Sequence, residues 1–224
     1  ARLEEIRAEK RQKEETLRKR EFLETSLSAF IREGWRYIDP APYSHNWHID
    51  AICEHLEAVT AGEIKRLIIN IPPRSMKSIT MSVAWPAWVW ARATHSPLSG
   101  PQVQFLTTSY AQVLSTRDSR KSRLLMMSPW YQELWGDRFS FTGDQNAKQR
   151  YENDKGGYRI AAAVGGQLTG DGGICVTVDD AHNLVDVSSE VERQNVLNWW
   201  DEAMPTRLND PVHGVFVVTM QRVH

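Results

Sequence analysis

The chain has 224 residues, of which 41% are hydrophobic and 25% charged, and a formal net charge of −1. This suits one large globular domain, or one with a small appendage, and leaves no global basic field to attract nucleic acid, so any such surface is local. Cys53 and Cys175 lie far apart without CxxC or zinc spacing and read as reduced core residues; no apolar run reaches the roughly 20 residues of a membrane span, and no signal peptide or internal repeat is evident.

Residues 1–24 hold 15 charged side chains, eight basic and seven acidic, with only Leu3, Ile6 and Leu17 as a thin apolar stripe. This predicts a solvated helix that wraps the domain or touches a neighbour. Over residues 22–35, Phe22, Leu23, Leu27, Phe30 and Ile31 recur at helical spacing, with Gly34 as the expected stop. The turn-rich link Asp39-Pro-Ala-Pro-Tyr43 follows. A second amphipathic helix over residues 47–59 places Ile49, Ile52, Cys53, Leu56 and Val59 on one side. Trp47 and His48, at its start, suit either an adenine grip or core packing.

Residues 66–78 read Arg-Leu-Ile-Ile-Asn-Ile-Pro-Pro-Arg-Ser-Met-Lys-Ser. An apolar strand at 67–71 leads through a turn into a helix opened by Lys77 and Ser78. Strand, phosphate loop and helix is the Walker A arrangement, in which backbone N–H groups face an anion. Lys77 would reach the β/γ-phosphates of ATP, and Ser78 would coordinate Mg²⁺. Ile71 and Met76 stand where the pattern G-x-x-x-x-G-K-[ST] has glycine, so the loop has less freedom to take positive φ. An ordinary strand–turn–helix with a surface lysine is the competing reading.

Downstream, residues 102–108 read as a strand and 111–127 as a helix carrying Arg117, Arg120, Lys121 and Arg123. That basic cluster is either a solvated face or a contact for DNA phosphates. Residues 128–157 are irregular, and 158–164 form a further strand candidate. The stretch Gly165-Gly-Gln-Leu-Thr-Gly-Asp-Gly-Gly173 is a loop. Residues 174–180, Ile-Cys-Val-Thr-Val-Asp-Asp, have the Walker B form: Asp179 would hold Mg²⁺ and Asp180 would orient the attacking water. Asp179 lies 102 residues after Lys77. Ser188 is the expected cap of a helix bearing Val191, Val196, Trp199 and Trp200. A last strand at 215–220 ends near Thr219 and Gln221, where a γ-phosphate sensor would sit. Strands alternating with helices predict a parallel, doubly wound sheet, with ligands at the strand C-termini.

Ile71-Pro-Pro-Arg-Ser-Met-Lys-Ser78, Thr108-Ser-Tyr110, Gly165-Gly-Gln-Leu-Thr-Gly170, Val178-Asp-Asp-Ala-His182 and Val218-Thr-Met-Gln-Arg-Val-His224 together resemble the ATPase domain of the large terminase subunit of tailed bacteriophages, from about residue 35 onward. The resemblance implies a three-layer α/β/α P-loop NTPase of the ASCE type, with a mostly parallel central sheet, over residues 35–224, preceded by a charged helical extension over 1–34. It implies an ATP-driven motor for packaging double-stranded DNA, with ATP and Mg²⁺ as cofactors. A portal protein, a small terminase subunit and further copies in a ring are the implied partners, with no membrane. The implied location is the host bacterial cytoplasm, transiently on the procapsid portal.

Carried over by residue, the resemblance assigns phosphate-loop contacts to Pro73, Arg74, Ser75, Met76, Lys77 and Ser78. It assigns metal binding to Ser78 and Asp179, catalysis to Asp180, Lys77 and Arg74, and coupling to Thr219 and Gln221. Trp47 and His48 fall where the family binds adenine, without the usual Gln. Asp180 stands where many members have Glu, and Thr169 where some have an arginine finger; Arg159, Arg207 and Arg222 are the other candidates. The family's C-terminal nuclease domain has no counterpart here, so DNA cutting is not expected. A helicase-like translocase and a nucleotide-binding switch with little turnover are the alternative functions.

Overall fold

A computed structural model describes residues 2–143, 149–166 and 170–222. Six strands form one sheet in the order β1-β6-β5-β2-β4-β3: β1 (Arg66–Asn70), β2 (Phe105–Ser109), β3 (Arg150–Glu152), β4 (Tyr158–Ala163), β5 (Cys175–Asp179) and β6 (Val215–Met220). Every pairing is parallel except β3 with β4. The central strands β2 and β5 are buried along their whole length, as parallel strands covered on both faces must be. The predicted strands therefore exist, and the second starts at Phe105 rather than at 102. Sequence reading missed β3, whose three residues carry no alternation long enough to recognise.

One face of the sheet carries the main core. It is covered by α2 (Leu27–Gly34), α3 (Trp47–Ala61), the helix over residues 77–91, α5 (Gln112–Met126) and α6 (Pro129–Trp135). The other face holds a smaller cluster, Leu106, Ile160, Val176 and Phe216, beneath Met204 and the Trp199 and Trp200 side of α7 (Glu190–Ala203). The result is the expected three layers. No helix is long and apolar enough to cross a membrane among the described residues.

The helix over residues 77–91 is the hub of the main core. Trp85, Trp88 and Trp90 are fully buried, and each indole N–H finds an acceptor 2.9 Å away: Thr60 Oγ1, the Leu23 carbonyl and the Val103 carbonyl. A buried indole left without a partner would carry a desolvation cost, so these bonds fix the helix against α3, the N-terminal helix α1 (Arg2–Thr25) and the approach to β2. The helix is not α throughout: Ile79–Ala84 is a π-turn. Pro86 supplies the reason. Its missing N–H and its ring clash with the carbonyl of Ser82, four residues back, and a widened turn relieves both.

The predicted helix over 22–35 is two helices. α1 (Arg2–Thr25) ends where Ser26 caps α2, its hydroxyl accepting from Ala29 N. A Ser in that position competes for backbone groups and starts a new helix better than it continues an old one. Gly34 is not a left-handed cap either, since its φ is −80°. It is small because a Cβ there would lie 2.8 Å from the Trp130 ring. α1 is solvated along most of its length, with Leu23 its buried residue. Its C-terminal end is tied down by Arg20, which reaches Asp137 and Glu24, while Glu24 also accepts from Trp135 Nε1 and Arg138.

The cap of α7 is Ser189, not Ser188: its hydroxyl accepts from Glu192 N. In the basic cluster on α5, Arg117 grips Asp118, Lys121 sits 3.7 Å from Asp39 and Arg123 lies over the Phe141 ring. Arg120 remains solvent-exposed.

Trp88→Ala removes a fully buried indole and leaves the Leu23 carbonyl unpaired. It should cost about 3–5 kcal/mol, and Trp88→Phe about 1–3 kcal/mol, read as shifts of the urea midpoint. A loss under about 1 kcal/mol for the alanine variant would show that this helix is not the hub.

Candidate nucleotide site

The parallel register aligns Ile69, Thr219, Asp179, Ser109 and Ala163 in one row at the C-terminal edge of the sheet. β6 lies between β1 and β5, so the end of β6 separates the loop after β1 from the acids after β5. The bond from Ile71 N to the Met220 carbonyl carries the pairing one residue beyond β1 and seats the loop against β6.

The loop of residues 72–76 closes on itself through Ser75 Oγ, which donates to the Pro72 carbonyl at 2.6 Å. His48 Nε2 lies 3.1 Å from the Ser75 carbonyl, so His48 props the loop from α3. Trp47 is 77% exposed beside it, which rules out core packing for that side chain. Arg74 and Met76 have φ of +63° and +62°. These are positions where an L-residue is strained and glycine is not. Met76 thus takes the left-handed shape of the glycine it replaces in the Walker A pattern. Left-handed residues alternating with ordinary ones turn successive N–H groups toward one concavity, an anion-binding nest. Pro73 and Arg74 are exposed at its rim, and Lys77 is buried at its base.

Lys77 and Ser78 each meet one of the two acids. The Lys77 ammonium donates to Asp180 Oδ1 in a short ion pair. The Ser78 hydroxyl adjoins the Asp179 carboxylate and stabilises its charge, and Thr219 Oγ1 donates to that carboxylate at 2.8 Å. Burial raises the Asp179 carboxyl above its ordinary value; Ser78 and Thr219 oppose the shift, neighbouring Asp180 adds to it and Lys77 lowers it. Asp180 has φ +49°. Asp tolerates that conformation better than Glu, through short-range bonding to the backbone, which accounts for the shorter acid here. Its backbone is held by Thr219 on one side and Tyr110 on the other. Gln221 meets the site through its main-chain N–H, 3.3 Å from Asp180 Oδ1.

Two open cavities flank this centre. One of about 480 Å³ is lined by Asn70, His182, Arg193, Gln221 and Arg222. The other, about 490 Å³, lies toward Tyr110, Gly165 and Trp199; neither is lined by a residue of the 72–78 loop. Burial, with Arg193 nearby, lowers the His182 pKa from its ordinary value.

Of the arginine-finger candidates, Arg222 lines the smaller cavity. Arg207 donates to the Asp171 carbonyl, away from the acids. Arg159 is excluded: it is fully buried at the N-terminal end of β4, at the opposite edge of the sheet from Asp179. Thr169, with Gln167 and Leu168 of the glycine-rich loop, lies outside the described residues, as do Val223 and His224.

Ser78 Oγ and the Asp179 carboxylate are adjacent hard oxygen donors and fit Mg²⁺, which takes one or two protein ligands and completes its shell with water and phosphate. No group of three or more His, Cys, Asp or Glu side chains arranged to hold a metal occurs among the described residues.

Two predictions follow from the strained loop and the buried acid. Met76→Gly should leave stability within about 1 kcal/mol, because relief of strain offsets the entropy of glycine, whereas Met76→Val should cost about 1–3 kcal/mol. Thermal melts of the two variants, with and without Mg-nucleotide, should show stabilisation by ligand in the first alone; equal behaviour would remove the need for a left-handed residue. The folded chain also keeps the Asp179 proton to higher pH than the unfolded chain does, so stability falls as pH rises from the ordinary carboxylate range through the raised value. Asp179→Asn should flatten that slope and raise the melting temperature of the nucleotide-free protein at neutral pH. A lower melting temperature would mean that the buried charge is a net support.

Neither a protein-family model nor any curated protein matches the chain. The crystal structure of the HK97 bacteriophage large terminase does, with a TM-score of 0.54 and 13% identity, over 88% of this chain and 37% of that one. A mutant of the Thermus phage P74-26 large terminase ATPase domain aligns with a TM-score of 0.48 and 15% identity, over 80% of this chain and 66% of that one. This chain thus spans little more than a third of the HK97 protein's length. At that identity the likeness is one of fold: a mostly parallel six-stranded sheet between helical layers, shared with the HK97 large terminase over 88% of this chain.

Proposed function

We propose that the chain is the ATP-hydrolysing motor domain of a terminase large subunit, driving double-stranded DNA into a procapsid. One observation carries this reading: a lysine and a hydroxyl at the end of one loop meet two consecutive acids at the C-terminal edge of a parallel sheet, Lys77 paired with Asp180 and Ser78 beside Asp179. That is the arrangement a phosphate-binding loop and its metal and water acids require. The terminase fold, and the terminase-like order of motifs along the chain, favour packaging among the uses of such a site.

In this reading the nest of residues 72–76 binds the β-phosphate, and Lys77 leaves Asp180 for the β/γ-phosphate oxygens. Ser78 and Asp179 would hold Mg²⁺, which would supply neutralisation of charge on the phosphates. Asp180, freed from Lys77, accepts a proton from the attacking water. Thr219 joins the metal acid to β6, so a change at Asp179 is transmitted to that strand and to Gln221. Arg120 and its neighbours on α5 are the proposed DNA contact; portal, small subunit and further copies of the chain are the proposed partners.

A nucleotide-binding switch with little turnover is the second reading. The Lys77–Asp180 pair favours it, because that pair holds both groups away from chemistry. Steady-state phosphate release, with and without double-stranded DNA, separates the two: a motor hydrolyses ATP and responds to DNA, and a switch does neither. Lys77→Ala should abolish turnover in a folded protein. Asp180→Asn should also stop hydrolysis yet bind nucleotide about tenfold more tightly, since Lys77 loses its competing partner. Asp179→Asn should instead weaken Mg-nucleotide binding. Equal loss of binding in the two acid variants, measured by calorimetry, would mean that their roles are misassigned.

A further inference from the structure

Arg159 is the least satisfied charge in the molecule's described residues. It is 0% exposed, and Nε, Nη1 and Nη2 all lack a hydrogen-bond partner. A guanidinium carries five donors, has no acceptor and does not deprotonate in proteins, so it cannot escape by changing its charge state. Burying it unpaired is among the costliest arrangements available to a fold.

The groups around it are of the same kind. Tyr151 stands directly opposite Arg159 in the antiparallel β3–β4 pair, is 1% exposed, and its hydroxyl has no partner among the described residues. α5 covers this face of β4, its register set by Gln112 Nε2 on the Ala161 carbonyl at 2.8 Å and Ser115 Oγ on the Ala162 carbonyl at 2.7 Å. From Ser115 to Ser122 the helix rises about 10 Å. From Ala162 back to Arg159 the strand runs about 10 Å in the same direction. Ser122, with Ser119 one turn before it, therefore comes down at the level of Arg159. Both serines are fully buried, and both hydroxyls are unpaired.

Arg123 follows Ser122. Its Nε is also without a partner, and its guanidinium lies over Phe141, whose ring is 5.7 Å from that of Tyr151. The nearby acids are already engaged: Asp118 is gripped by Arg117 through both oxygens, and Glu152 is held by Arg150. Among the described residues, donors and positive charge thus gather on this side of β4 with no free carboxylate between them.

We infer that the space between α5 and the N-terminal end of β4 holds a small monovalent inorganic anion, a halide in size, bound by Arg159 and the hydroxyls of Tyr151, Ser119 and Ser122. Water alone would supply acceptors but leave the charge uncompensated; an anion supplies both. The site is separate from the nucleotide centre. Arg159 aligns with Phe105 at the start of β2 and Asp179 with Ser109 at its end, about 13 Å along the strand. It depends in no way on the ATPase reading.

The test is thermal unfolding of the whole chain as chloride replaces isethionate, an anion too bulky to enter, at constant ionic strength. The wild-type melting temperature should climb along a single-site saturation curve. Arg159→Met should melt at or above the wild type without chloride and show no chloride-specific rise. Tyr151→Phe and Ser122→Ala, which keep the volume or reduce it slightly, should fold and shift the chloride midpoint several-fold upward; they carry the test if the methionine variant fails to fold. Crystals grown in bromide should show an anomalous peak beside Arg159. Superimposed wild-type curves in the two salts, an unchanged midpoint in the hydroxyl variants, or water alone at Arg159 in the bromide crystal would overturn the inference.

Discussion

The arrangement of the candidate nucleotide site turns on one ion pair, Lys77 with Asp180. Lysine is buried at the base of its loop, and the acid sits at the end of a fully buried strand, so each needs the other while no phosphate is present. In the proposed function the pair also keeps the two groups from working: a phosphate entering the nest would offer the lysine a better partner than one carboxylate and would release the acid. We propose that binding and activation are a single exchange of partners.

That exchange is possible because of strand order. β6 lies between the strand that feeds the loop and the strand that bears the acids. Its end supplies Thr219 to Asp179 and the Gln221 N–H to Asp180, so both acids are oriented from the same strand. The base of the site is rigid for a different reason. The helix that begins with Lys77 is anchored beyond its π-turn by three buried tryptophans, each with its N–H satisfied. The softer π-turn lies between the anchor and the loop, where a change of turn would be felt by Lys77 and Ser78.

The sheet was legible in the sequence because its central strands are continuous apolar runs ending in chemically distinctive residues. Lys77, Ser78, Asp179 and Asp180 could be expected at one edge of the sheet because order and polarity along the chain are preserved in a parallel sheet. The loop's shape was not legible: Arg74 and Met76 take positive φ without the glycine that signals it, and the strain is held by the surrounding bonds of Ser75 and His48. The break at Ser26 was hidden because apolar periodicity runs through it, and only the cap geometry shows that two helices meet there. Gly34 ends α2 as its type suggests, but what requires a glycine there is the close approach to Trp130, a contact made across 96 residues of sequence. Arg159, one of several arginines by sequence, is set apart by burial alone.

The exchange of partners at Lys77 can be seen directly in a crystal structure of the protein with Mg²⁺ and a non-hydrolysable ATP analogue. The account predicts Lys77 Nζ within hydrogen-bonding distance of β- and γ-phosphate oxygens, and Asp180 released from it and facing a water in line with the γ-phosphate. Nucleotide bound with the Lys77–Asp180 pair still intact would contradict it.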